Sequence, residues 1–256
     1  MNAFNIKPAY KIAEYVDRIM VIENGDFINS FNLPLYANGV PTVLFKNVKG
    51  KIGTKASEHL TLFGQTVLPD NLTLDESFTL IAYFMKPYSV VSLFRIQASE
   101  LTDKPIDINL LVPQKSIALQ DKLLNCKTVD AMICSIDDFI LELMTSSIIV
   151  PGHVKYAIEK ISTNFSKGSL QSVQKDLNVT ERTFQRIFDN NIGISPNTFR
   201  RICQFNAAFN DLNLGKYSNL SDIAYNNGYA DQSHYIRSFK EFTKITPTEY
   251  LNFGET

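Results

Sequence analysis

Two clusters of basic and amide side chains stand out in the C-terminal half. The first is Arg182, Gln185 and Arg186; the second is Gln232, Ser233, His234 and Arg237, with Lys240 one turn on. Arginine presents a forked donor that matches the O6 and N7 acceptors of guanine, and glutamine a donor–acceptor pair that matches adenine in the major groove. Lysine, serine and histidine serve phosphate oxygens as readily as base edges. An isolated surface arginine or glutamine is ordinarily a solvated side chain and no more. Here, however, the register is written twice. Phe184-x-Arg186-x-Phe188, seven residues and Pro196-x-x-Phe199 are matched 51 residues later by Tyr235-x-Arg237-x-Phe239, seven residues and Pro247-x-x-Tyr250. A small unit used twice suits a target that itself repeats.

The elements that must position these side chains follow from local chemistry. In the second unit, Asn219 and Asp222 form a capping pair for a lead helix whose apolar face is Leu220, Ile223 and Ala224. Gly228 ends that helix, and Asp231 caps the next one, which buries Tyr235, Phe239 and Phe242. In the first unit, Leu170, Val173 and Leu177 make the lead helix, and Thr180 caps a second helix that buries Phe184 and Phe188. Glu181 and Asp231 are both read as caps that favour helix starts. Short helix, tight turn and second helix is the helix-turn-helix arrangement. Ser195-Pro196 and Thr246-Pro247 then start further helices, the second with Glu249 as a capping box. Phe199, Ile202, Phe205, Phe209 and Leu212 recur at helical spacing, so one stiff helix over 197–213 is expected to join the units.

These residues resemble the DNA-binding domain of the AraC/XylS family of bacterial transcriptional regulators, from about His153 to Leu251. The second unit carries the fuller match: Ile223-Ala224, the run from Gly228 through Arg237, Phe239-Lys240, and Thr246-Pro247-x-x-Tyr250. Three positions depart from the family pattern. Gln174 replaces a small alanine, Gln204 replaces a linker-helix arginine, and Lys244 replaces a glycine, although the first unit keeps Gly193. The resemblance implies double-stranded DNA as partner, with RNA polymerase beside it, and contacts from Arg182, Gln185, Arg186, Gln232, Ser233, His234, Arg237 and Lys240.

Charge is divided unevenly. Residues 1–152 carry 13 basic and 16 acidic side chains, and residues 153–256 carry 12 and 10. The mildly basic half gives a weak, salt-sensitive hold on DNA, so local placement of arginine must do more than the overall field. No apolar run approaches the eighteen or so residues of a membrane helix, and the N-terminus lacks a secretory apolar core, so a cytoplasmic protein is expected. Three scattered cysteines read as reduced thiols.

The N-terminal half turns to strands. Segments 18–23, 43–46, 59–66 and 78–85 are rich in β-branched and aromatic residues, broken by clusters such as Asn24-Gly25-Asp26 and Pro69-Asp70-Asn71. Helices follow over 116–125 and 129–144, the latter with Val129, Met132, Ile133, Ile136, Ile140, Leu143 and Met144 on one broad face. A small β-barrel or sandwich followed by helices is expected, and the resemblance implies a cupin-like sensor there. His59 is the only histidine before His153, so a three-histidine metal site cannot be built; no metal or cofactor and no catalytic set is expected. An organic effector in an apolar pocket stays open. Arg95 could hold its carboxylate, against a structural ion pair as the plainer role.

The expectation is therefore an α+β chain. Residues 1–147 form a sensing or dimerisation domain, and 153–256 an all-α DNA-binding domain with units over about 169–190 and 219–243. The protein should not be an enzyme, and a homodimer through 129–144 is expected. Two alternatives stand beside it: a small-molecule-modifying cupin-like enzyme with a DNA-binding tail, and a regulator whose N-terminal half only dimerises.

Overall fold

A computed structural model describes residues 1–25, 30–166, 168–215 and 217–253. Among these, ten strands form two sheets. The larger has the order β1 (Asn2–Ile6), β2 (Val16–Asn24), β9 (Phe78–Met85), β4 (Thr42–Lys46), β7 (Leu60–Phe63), β10 (Ile106–Asp107). The smaller runs β3 (Phe31–Leu35), β8 (Asp70–Leu74), β5 (Gly50–Ile52), β6 (Lys55–Ser57). All the pairings are antiparallel.

Strand alternation sorts the large sheet into two cores. Phe78, Leu80 and Ala82 of β9, with Leu44 and Ile22, face Leu72 and Leu74 of the small sheet. The intervening Ile81, Tyr83 and Met85, with Val43, Phe45, Ile19 and Val21, face the helices. Both faces of the central strands are thus covered, which is why they read as near-continuous apolar runs.

Lys46, on the same side of β4 as Leu44, is a charged exception in this apolar setting. It is fully buried, and its ammonium donates to the backbone carbonyls of Ser57, at 2.9 Å, and of Glu58. Burial pulls its pKa down to about 8, against a smaller opposing pull from Glu58. A lysine with a depressed folded pKa costs stability below that value, and the cost is relieved as pH rises towards the unfolded pKa. Between pH 8 and pH 10.5 the stability of the wild type should therefore rise relative to Lys46→Met by on the order of 2–3 kcal/mol. Parallel urea titrations of the two proteins across that range measure this, and curves that keep a constant separation would contradict it.

Helices α1 (Pro113–Asn125) and α2 (Val129–Met144) lie on the outer face of the large sheet. The first starts three residues earlier than the periodicity suggests, because Pro113 takes the first helical position. The Tyr83 hydroxyl donates to Asp137 Oδ1 at 2.7 Å and to the Ile133 carbonyl at 3.1 Å, pinning α2 to β9. Burial raises both the Tyr83 phenol and the Asp137 carboxyl. The apolar face expected to meet a second copy is consequently covered from within the chain. Ile136 is 0 % and Ile140 1 % exposed, so this face does not supply the homodimer contact that its breadth suggests. Arg95 takes a structural contact: its guanidinium donates to the Ser146 carbonyl in the connection after α2.

The helical half comprises α3 (Gly152–Thr163), α4 (Ser169–Asp176), α5 (Glu181–Asn191), α6 (Pro196–Asn213), α7 (Leu220–Asn226), α8 (Gln232–Thr243) and α9 (Pro247–Phe253). No helix among the described residues is long and apolar enough to cross a membrane. Helix α6 is the spine. Phe199 meets Phe188 of α5 at 5.8 Å between ring centres; Phe205 meets Phe242 at 5.2 Å and Phe239 at 5.7 Å, both on α8. One end of α6 therefore holds the first unit and the other end the second.

The halves touch at α6 and at the turn that precedes it. Asn206 Nδ2 of α6 donates to the Asn38 carbonyl at 2.9 Å, and Thr102 Oγ1 to the Gly193 carbonyl of the turn at 2.9 Å. Gly193, at φ +91°, lies so close to Ala98 that a Cβ would sit 2.6 Å from its backbone. At the equivalent turn of the second unit Lys244 holds φ +71° without the freedom of glycine. Lys244→Gly is accordingly expected to stabilise the protein by roughly 0.5–1 kcal/mol, the relief of left-handed strain less the added unfolded-state entropy. A lower urea midpoint for that variant would contradict this.

Candidate nucleic-acid interface

The caps place both recognition helices. Thr180 Oγ1 accepts from the Thr183 amide at 3.2 Å and starts α5; Glu181 falls in the first turn and is not the cap. Asp231 does cap α8, accepting from the His234 amide at 2.7 Å. Asn219 and Asp222 close the expected capping box on α7, and Thr246 with Glu249 closes the one before α9. Gly228, at φ +72°, turns the chain from α7 into α8.

With Phe184 and Phe188 buried, Arg182 and Arg186 project into solvent from α5. Gln185, half-buried beside them, donates through Nε2 to Asp189 Oδ1 at 3.0 Å, which leaves its amide oxygen as the free acceptor. On α8, Tyr235, Phe239 and Phe242 are buried, while Gln232, Ser233, Arg237 and Lys240 are exposed. Gln232 Oε1 accepts from the Ser221 hydroxyl of α7 at 2.8 Å, so its NH₂ is free to donate. The His234 ring stands edge-on to Tyr229, centroids 5.2 Å apart, and its Nδ1 accepts from the Ala230 amide at 3.4 Å. That bond leaves the Nε2–H as the outward donor. Arg186 and Arg237 occupy the same register in the two units. Asp189 and Lys240 also correspond, so the first face is the less basic.

Two features near the recognition helices go unread in the sequence. Tyr225 of α7 is 64 % exposed, with no periodicity to mark it. Arg200, Gln204 and Asn227 are joined by hydrogen bonds across α6 and α7. Gln204 is marked in the sequence only as a departure from the pattern that the segment resembles.

A cavity of about 830 Å³ opens between the sheets and α6. Met20, Leu35, Leu44 and Phe84 supply apolar wall, and Phe205 and Phe209 of α6 close the far side. The Thr42 hydroxyl is buried in this wall without a hydrogen-bond partner. The Arg18 guanidinium lies 4.0 Å over the Phe84 ring, and burial lowers its pKa.

Comparison with known proteins agrees with this geometry. A family described as a helix-turn-helix domain matches residues 174–252, and one described as a domain of unknown function (DUF6597) matches residues 4–107. The lactose operon transcription activator of Staphylococcus xylosus is 27 % identical over 103 residues, which span 40 % of this chain and 37 % of that protein. The chain thus aligns with little more than a third of that relative's length. The 1.65 Å structure of ToxT from Vibrio cholerae is similar over 98 % of this chain and 97 % of its own, with a TM-score of 0.50 and 14 % identity. At that identity the likeness is one of fold: a β-rich half followed by helices. Residues 174–252 of this chain, which hold the second helix of the first unit and the whole of the second, are thus a helix-turn-helix domain set behind a β-rich half.

Proposed function

We propose that this protein is a sequence-specific regulator in which α5 and α8 each enter the major groove, reading two segments about one helical turn apart. Residues 153–256 supply the DNA contacts, through Arg182, Gln185 and Arg186 in the first segment and Gln232, Ser233, His234 and Arg237 in the second, with Lys240 on phosphate. Residues 1–147 supply control. The observation that carries the reading is the repeated register: two capped helices, each with an exposed arginine at the matching position, fastened to one continuous helix. At 1.5 Å per residue α6 spans roughly 27 Å, and with the bulk of each unit this suits grooves recurring every ~34 Å.

The control ligand is an organic molecule with an apolar body and an acceptor or anionic end. Support comes from the apolar wall, the unpartnered Thr42 hydroxyl and the nearby Arg18. Because Phe205 and Phe209 form part of that wall, a ligand there touches the helix that spaces the two units.

Selection of full-length protein against random duplex tests the DNA reading. Two enriched blocks separated by about ten base pairs, centre to centre, are expected. Enrichment of a single short block, or of none, would contradict it.

A further inference from the structure

We infer that a buried chain of hydrogen bonds through α6 fixes the spacing at which the two recognition helices can read DNA. It begins in the loop before α4, where the Phe165 carbonyl accepts from Arg200 Nη1 at 2.8 Å. The same nitrogen donates to Gln204 Oε1, one turn along α6, at 3.2 Å. Gln204 Nε2 donates to the Asn227 carbonyl at 2.9 Å. Asn227 closes α7 directly before the Gly228 turn that leads into α8, and its Nδ2 donates to Asp211 of α6 at 2.7 Å. Gln204 is 4 % and Asn227 6 % exposed. The chain therefore runs from the lead-in of the first unit to the turn of the second, with the linker helix as its carrier. A second tie reinforces one end: Arg201 pairs with Glu241 of α8 and lies 5.4 Å from the Phe242 ring.

An apolar interface alone tolerates small slides, because its attraction is not directional. A buried hydrogen bond is directional, and separating its partners leaves desolvated donors and acceptors unpaired. Gln204 donates to the turn of the second unit and accepts from Arg200, one turn back on α6, which itself donates to the lead-in of the first unit; rotation of the first unit about α6 breaks the Arg200–Phe165 bond, and rotation of the second breaks the Gln204–Asn227 bond. This makes Gln204, Arg200 and Asn227 positioning residues: they do not touch DNA in this account but set where the touching residues stand. One inserted base pair displaces a half-site by about 3.4 Å and turns it by about 35°. A rigid pair of units rejects that displacement; a loosened pair follows it.

The inference rests on the reading that both units contact DNA. The test uses the full chain and duplexes carrying its selected site with zero or one base pair inserted between the blocks, plus a duplex with the second block scrambled. Wild type should bind the inserted duplex about tenfold more weakly. Gln204→Met keeps the volume and removes both hydrogen bonds, and its preference should shrink to about twofold. Arg200→Met, at a less buried position, should behave alike and serves if the first variant does not fold. A spacing preference that stays at the wild-type ratio in both variants, with all affinities lowered by one factor, would mean that these residues serve folding only and overturns the inference. So would a wild type indifferent to the insertion while still sensitive to scrambling. Indifference to scrambling itself would instead overturn the two-unit reading on which the inference rests.

Discussion

Phe205→Ala should destabilise the protein by about 3–5 kcal/mol, the usual cost of removing a fully buried aromatic ring. Phe205 is 1 % exposed and sits where the second unit is bolted to α6, against Phe209, Phe239 and Phe242. Its ring also forms part of the cavity wall beneath the β sheets. The void left by truncation cannot collapse easily, since its neighbours are themselves held by other aromatic pairs, Phe209 by Tyr250 at 5.0 Å and Phe239 by Tyr235 at 5.9 Å. Chemical unfolding followed through the tyrosines reads the loss, and binding to the second DNA block should weaken before binding to the first. A loss below about 1 kcal/mol would show that α6 is not the shared spine of the two units.

Loss of either matched arginine should cost binding rather than stability. Arg186 and Arg237 are exposed, on capped helices whose apolar sides are complete without them. Neither takes part in an ion pair or side-chain hydrogen bond among the described residues. Replacement by alanine therefore leaves the unfolding midpoint within about 0.5 kcal/mol. Each should weaken binding by on the order of 1–3 kcal/mol and relax specificity at one block. The first unit also carries Asp189 where the second has Lys240. Its contribution should be the smaller one at low salt, where phosphate attraction is strongest.

The sequence was informative where one signal dominated. Strands β4 and β9 are covered on both faces, so their apolar runs stood out, and α2 was read to its ends because Thr128 caps a strongly periodic segment. The caps at Thr180, Ser195, Asn219 and Asp231 were legible because each needs only its own side chain and an amide two or three residues on. Strands β1, β3, β5, β6, β8 and β10 were missed. They are short or half-exposed, and their polar residues resemble turns: Asp70 and Asn71, read as a break, open β8. Of the break expected at Asn24-Gly25-Asp26, Asn24 is the last residue of β2 and Gly25 follows it, while Asp26 lies outside the described residues. The destination of the α2 face was also illegible, since periodicity says that a face is apolar and not what covers it. Recognition side chains were found because they repeat. The Arg200–Gln204–Asn227 chain was not, because its members come together only in the fold.

The central claim is that two units of one chain read two adjacent grooves. Hydroxyl-radical footprinting of the full chain on its selected duplex, with wild type, Arg186→Ala and Arg237→Ala side by side, tests it most directly. Wild type should give two protected blocks about ten base pairs apart, with protection lost from opposite ends in the two variants. Loss from the same end in both, or a single protected block for wild type, would contradict it.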